Sequence, residues 1–234
     1  MSLPRILLSA AAGATVALTI ATHWPHPAPP AVALIYNHGA GVEIDCGPGP
    51  RVLVVGGSVA NGWGASSMDR EWWVLACHEL GGTWRNEGAP AAHTEQETKQ
   101  LERAVGFGAN VVIEMTGAND MIHGLAPMIR GQFGARVERF WRNHERIRAL
   151  AGDHLLTVLQ PIPLGAPTWE TRGFEPQIRE AYAAMGVVAD LRLEVAPVDY
   201  LDAYHFGDHG HELVADAVVR AVRARDAATR REER

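Results

Sequence analysis

Positive charge is in short supply. The 234 residues carry 21 Lys and Arg against 27 Asp and Glu, a formal net charge of -6. Affinity for phosphate backbones comes chiefly from clustered Lys and Arg, so this balance argues against a nucleic-acid partner. The C-terminal arginines Arg220, Arg223, Arg225, Arg230, Arg231 and Arg234 are interleaved with acids and read as a solvated helix end. Cysteine is nearly missing: Cys46 and Cys77 are the only two, which allows at most one disulfide within the chain. No internal repeat is present. A phosphate-binding loop is excluded, because Gly57 and Gly62 lead into Trp63 where such a loop needs a lysine. With 47% hydrophobic and 21% charged residues the chain matches ordinary globular usage, which argues against disorder and against several membrane spans. A chain of this length builds one core, hence one main folded domain.

Charge is also missing from the N-terminus, where Arg5 is the only charged residue among residues 1–21. The apolar stretch from Ile6 to Ala21 would span roughly 24 Å as a helix, short of the roughly 30 Å hydrocarbon core. Residues 1–24 therefore read as a cleaved signal peptide, with Thr19-Ile20-Ala21 as a small-x-small site, or as a retained anchor extended to Trp24. Either way the chain is expected to be exported, periplasmic or extracellular, or tethered to a membrane. Pro25, Pro27, Pro29 and Pro30 make an extended tether, since proline fixes φ and removes backbone donors. Residues 25–45 are read as this linker and an entry segment, residues 46–226 as the folded domain and residues 227–234 as a charged tail. In an oxidising compartment Cys46 and Cys77 could pair, or stand as two buried thiols.

Apolar runs alternate with helical patterns. Val52–Val55, Thr83–Arg85, Val111–Met115 and Leu155–Leu159 read as strands, and Val187–Ala189 forms a short apolar segment. Glu71–Leu80, Glu95–Val105, Arg136–Leu150, Gln177–Met185 and Glu212–Ala224 read as helices. This alternation predicts an α/β fold, a three-layer α/β/α sandwich around a mainly parallel five-stranded sheet. Ligands of such sheets bind beyond the carboxyl ends of the strands. The loops there carry Ser58, Asn86-Glu87-Gly88 and Gly117-Ala118-Asn119-Asp120, and the Pro- and Gly-rich stretch Pro161–Pro176 flanks them as a surface loop.

Ser58 sits on a glycine turn just past the first apolar run. Its hydroxyl needs a base, and Asp202-Ala203-Tyr204-His205 supplies an imidazole with a carboxylate three residues earlier to hold its tautomer. Attack on an ester carbonyl makes an oxyanion, for which the backbone N–H groups of Ser58 and Gly88 and the Asn119 amide are the candidate donors. Ser58, Gly88, Asn119 and His205, in that order, resemble the SGNH hydrolase superfamily, also called the GDSL esterases and lipases. The resemblance runs from about Val52 to Ala217. It implies a flavodoxin-like sandwich and ester hydrolysis without metal or cofactor. Ser58 would be nucleophile, His205 base, Asp202 its partner, and Gly88 and Asn119 oxyanion donors. One departure is plain: the family usually has aspartate before the serine, and this chain has Gly57.

Other readings compete. Gly56-Gly57-Ser58-Val59-Ala60 approximates the elbow of α/β-hydrolases, but there the acid and the histidine come from separate loops. Asp120 and His123 form a second Asp-x-x-His, which would give a Ser58, Asp120, His123 triad; if Asn119 faces the oxyanion, His123 instead borders the substrate cleft. Asp208, His209 and His211 invite a metal reading, against which Asp208 caps the last helix and the histidines meet solvent. Trp63 reads as a substrate contact, Trp72 and Trp73 as core. Met121, Ile122, Leu125, Met128 and Ile129 fit an acyl-binding lip or ordinary packing. The substrate is a small-molecule, lipid or carbohydrate ester. Hydrolysis stands beside two alternatives: acyl transfer to a carbohydrate hydroxyl by the same triad, and carbohydrate or lipid binding without catalysis.

Overall fold

The computed structural model describes residues 40–116, 119–120, 133–159, 188–191, 196, 199, 201 and 205–232. The expected export segment, the proline tether, the loop Pro161–Pro176 and the helix Gln177–Met185 lie outside them.

Strand β1 is Val42–Asp45, and β2, Arg51–Gly56, leads into a single helical turn, α1, Ser58–Asn61. Helix α2, Trp72–Leu80, returns to β3, Thr83–Asn86; α3, Thr94–Arg103, returns to β4, Val111–Thr116. Helix α4, Phe133–Ala151, precedes β5, Leu155–Leu159; β6 is Ala189–Asp190 and α5 is Asp208–Glu232. The strand order is β1-β3-β2-β4-β5-β6. Strands β2 to β6 are parallel to their neighbours, while β1 runs antiparallel along β3 with Ile44 opposite Trp84. The five parallel strands meet the expectation, and β1 is an addition to it. It lies in the stretch read as linker and entry segment, so the folded unit begins before residue 46.

The sheet is covered on both sides because successive strand residues point to opposite faces. Val52 and Val54 of β2, with Ile113 and Met115 of β4, pack against Trp72, Trp73 and Ala76 of α2 and Val214, Val218 and Val222 of α5. Leu53, Val55 and Val112 face Leu101 of α3 and Ile147 of α4. The i, i+4, i+8 spacing of the α5 valines makes one stripe. That helix continues to Glu232, so most of the expected tail is helical, as its run of Ala, Arg and Glu favours.

Cys46 and Cys77 form a disulfide with Cα atoms 5.9 Å apart. It joins the end of β1 to α2 at the edge where β2 and β3 begin, and the Cys46 N–H donates to the Gly82 carbonyl at 2.9 Å. The carboxyl ends of the strands, where the candidate residues gather, are opposite. No helix among the described residues is long and apolar enough to cross a membrane.

Candidate active site

Strand β2 ends at Gly56, and Ser58 opens α1 with its N–H at the helix start, where no intrahelical acceptor exists. Ser58 is buried except for 7% of its surface, and its Oγ lies 2.9 Å from Nε2 of His205 across 147 residues of chain. A neutral imidazole at that distance can take the hydroxyl proton as the oxygen attacks. Gly64 permits the approach: with φ +106°, an added Cβ would stand 2.1 Å from the Phe206 carbonyl oxygen. The Asp208 carboxylate accepts from the Ser66 N–H at 2.8 Å and the Ser66 hydroxyl at 2.7 Å, tying the serine loop to the start of α5. The Trp63 ring stands 5.8 Å, centroid to centroid, from the His205 ring. Trp72 and Trp73 are fully buried.

Gly57 holds φ -83° and ψ -152°, an extended backbone, so the position before Ser58 does not use glycine's access to positive φ.

The loop after β3 is stitched to α1. Asn86 Nδ2 donates to the Ala60 carbonyl at 2.9 Å, and Asn61 Nδ2 donates to the Gly88 carbonyl at 2.9 Å. Here the structure corrects one expectation: the Gly88 N–H donates to Asn86 Oδ1 at 2.8 Å, where it closes an Asx turn, rather than standing ready for an oxyanion. Gly88 is needed for packing, since an added Cβ would meet the Asn61 nitrogen at 2.7 Å. Asn119 is buried, and its Nδ2 donates to the Ala92 carbonyl at 2.8 Å. An amide nitrogen carries two hydrogens, so this bond uses one of them.

Asp120 is taken up elsewhere. Its carboxylate accepts the Thr94 N–H at 3.0 Å and the Thr94 hydroxyl at 2.8 Å, capping α3. Burial nevertheless holds its carboxyl above the usual range. Asp202 and His123 lie outside the described residues, as do Met121, Ile122, Leu125, Met128 and Ile129. The metal reading loses its geometry, because its three residues face different partners. Asp208 faces Ser66, His209 Nδ1 lies 2.6 Å from Asp199 Oδ1, and His211 Nδ1 accepts the Trp72 N–H at 3.3 Å. Burial pushes the His211 imidazole down to about 4, so it is neutral at physiological pH.

Beneath the site, the end of β4 that faces α3 and α4 carries buried polar residues, Glu114 and Thr116. Glu114 accepts from Thr157 Oγ1 at 3.0 Å and lies 2.9 Å from His144 Nδ1, with both Glu114 and His144 fully buried. Glu97 of α3 is buried too; burial first, then the charges of Glu114 and Asp120, hold its carboxyl well above the ordinary 4.5. A carboxyl whose folded pKa is raised binds its proton more tightly in the folded state, so stability falls as pH rises from about 4.5 and levels off above the folded pKa. Glu97→Gln is therefore expected to flatten the pH dependence of melting. The melting temperature is expected to rise at pH 8 and to change little at pH 5, read by calorimetry on both proteins across that range.

Fold comparison places the chain among known structures. It superposes on an acetylxylan esterase from Geobacillus stearothermophilus with a TM-score of 0.56 and 15% identity, covering 76% of this chain and 96% of that one. A lipase/acylhydrolase from Enterococcus faecalis gives 0.56 and 17%, covering 75% and 96%. A member of the lipolytic protein G-D-S-L family from Veillonella parvula gives 0.54 and 13%, covering 73% and 96%. No family model and no curated protein matches the sequence. The fold is that of the SGNH/GDSL hydrolases.

Proposed function

We propose that this SGNH-fold chain is a serine esterase that hydrolyses carboxylic esters through an acyl-Ser58 intermediate. The 2.9 Å contact between Ser58 Oγ and His205 Nε2 carries the reading. His205 Nε2 removes the hydroxyl proton as Oγ attacks the ester carbonyl. The oxyanion so formed takes hydrogen bonds from the Ser58 N–H and the second Asn119 amide hydrogen. Protonated His205 then gives its proton to the departing alkoxide, leaving the acyl group on Ser58. Water, deprotonated by the same nitrogen, attacks the acyl carbonyl; collapse returns the carboxylic acid and the free serine. For Nε2 to accept, the proton must sit on Nδ1, and Asp202 is assigned to hold it there. Ester hydrolysis by neighbours of the same fold supports the reading.

Trp63, its ring tilted by 37° to that of His205, is assigned to contact the substrate. The Cys46–Cys77 bridge belongs to an oxidising compartment, which supports export by the N-terminal segment. A screen of aryl esters from acetyl to long-chain acyl tests the function. Hydrolysis of at least one length is expected, lost in Ser58→Ala; a folded protein inert to every ester would contradict it.

A further inference from the structure

Ser58 stands two residues past the end of β2, a strand that loses its β3 neighbour after Val54. Strand β3 ends at Asn86, in register with Val54, and the chain then turns toward α1. On that side the Glu87 N–H still donates to the Val54 carbonyl at 2.9 Å, and the Ala89 N–H to the Gly56 carbonyl at 3.1 Å. The Gly56 N–H, between them, finds its acceptor in a side chain. Gln100, on α3, offers Oε1 to the Gly56 N–H at 2.8 Å and returns Nε2 to the Gly56 carbonyl at 3.1 Å. One amide thus binds both polar groups of one residue across 44 positions of chain, and Gln100 is 98% buried while doing so, with 2% of its surface exposed.

We propose that Gln100 is a positioning residue for Ser58. It stands in for the missing strand and fixes the direction in which β2 delivers the serine. The assignment rests on Ser58 being the nucleophile. Gly57, between the two, has no side chain with which to brace the turn. Restraint on Ser58 from the strand side therefore comes through Gly56, and Gln100 holds both of its polar groups. A buried amide in this place also avoids the cost of an unsatisfied Gly56 N–H.

The test is Gln100→Met, which keeps length and bulk but can neither donate nor accept in this way. A second variant, Gln100→Asn, keeps an amide one methylene too short to reach both groups. Active sites are counted by stoichiometric fluorophosphonate titration, and kcat per titrated site, KM and melting temperature are measured. In Gln100→Met, kcat per titrated site is expected to fall about ten- to a hundredfold, the cost of misplacing a reacting group by under about 1 Å. KM should stay within about twofold, because ground-state binding is untouched. Gln100→Asn should show the same split, smaller in size. If melting temperature and the titrated fraction fall while kcat per site stays at the wild-type value, Gln100 only supports the fold and the proposal is overturned. Wild-type kinetics in both variants overturn it as well. A wild-type protein that neither hydrolyses esters nor takes up the fluorophosphonate overturns the nucleophile reading itself, and that result is visible before any variant is made.

Discussion

Replacing His205 with alanine is expected to lower kcat on an activated ester by roughly 10⁴- to 10⁶-fold, since removing the base of such a unit costs nearly as much as removing all of it. Without the imidazole 2.9 Å from Oγ, Ser58 must lose its proton to water during attack. The loss should fall on kcat, with KM changed by less than about threefold, because the base acts only once bonds begin to change. The fold should survive. The Leu201 N–H donates to the backbone carbonyl of His205 at 2.8 Å, and the Gly207 N–H donates to the Asp199 carbonyl at 2.8 Å, two bonds that alanine leaves in place. Circular dichroism and a melting curve check that point, and steady-state kinetics on an aryl ester read the effect. Undiminished turnover in His205→Ala would move the base elsewhere. Asp120 could not then be its partner without giving up the two bonds by which it caps α3.

The second large effect is on stability. Cys46 and Cys77 close a loop of 31 residues, and opening it is expected to cost about 3–4 kcal/mol through the entropy returned to the unfolded chain. For a domain of this size that corresponds to a melting temperature lower by roughly 7–15 °C. The bridge anchors β1 and α2 at the amino-terminal edge of the sheet, while Ser58 follows the carboxyl end of β2. Activity well below the melting point should therefore change little. Calorimetry with and without a thiol reductant, beside the Cys46→Ala/Cys77→Ala double variant, reads both effects. A melting curve indifferent to reductant would remove the bridge from the account of stability.

The two parts of the molecule were not equally legible in the sequence. Val52–Val55 and Val111–Met115 announced central strands because both faces of those strands meet helices, so every residue but Glu114 is apolar. Strand β1 escaped notice: only Val42 and Ile44 alternate with exposed acids, over four residues, beside a proline-rich stretch. Ser58 and His205 could be picked out because their chemistry is local, a glycine turn after a strand and an Asp-x-x-His before a helix. Their supports could not. Helix α3 reads as a polar surface helix, Thr94-Glu95-Gln96-Glu97-Thr98-Lys99-Gln100, yet Thr94, Glu97, Thr98 and Gln100 are all buried. The end of β4 on that side is polar too, with Glu114 and Thr116 buried, so a binary apolar pattern carries no trace of this part of the packing. Gly88 was misread for a related reason. The sequence showed a small residue near the site, and only the Asx turn to Asn86 reveals where its N–H goes.

The measurement that bears most directly on the central claim is covalent trapping. The protein is treated with a fluorophosphonate and the adduct is located by peptide mass spectrometry, in the wild type and in Ser58→Ala and His205→Ala. The account predicts one adduct per chain, on the peptide holding Ser58, absent from Ser58→Ala and formed at least about 10³-fold more slowly in His205→Ala, in line with loss of the activating base. An adduct on another residue, or ester hydrolysis that persists in Ser58→Ala, would contradict it.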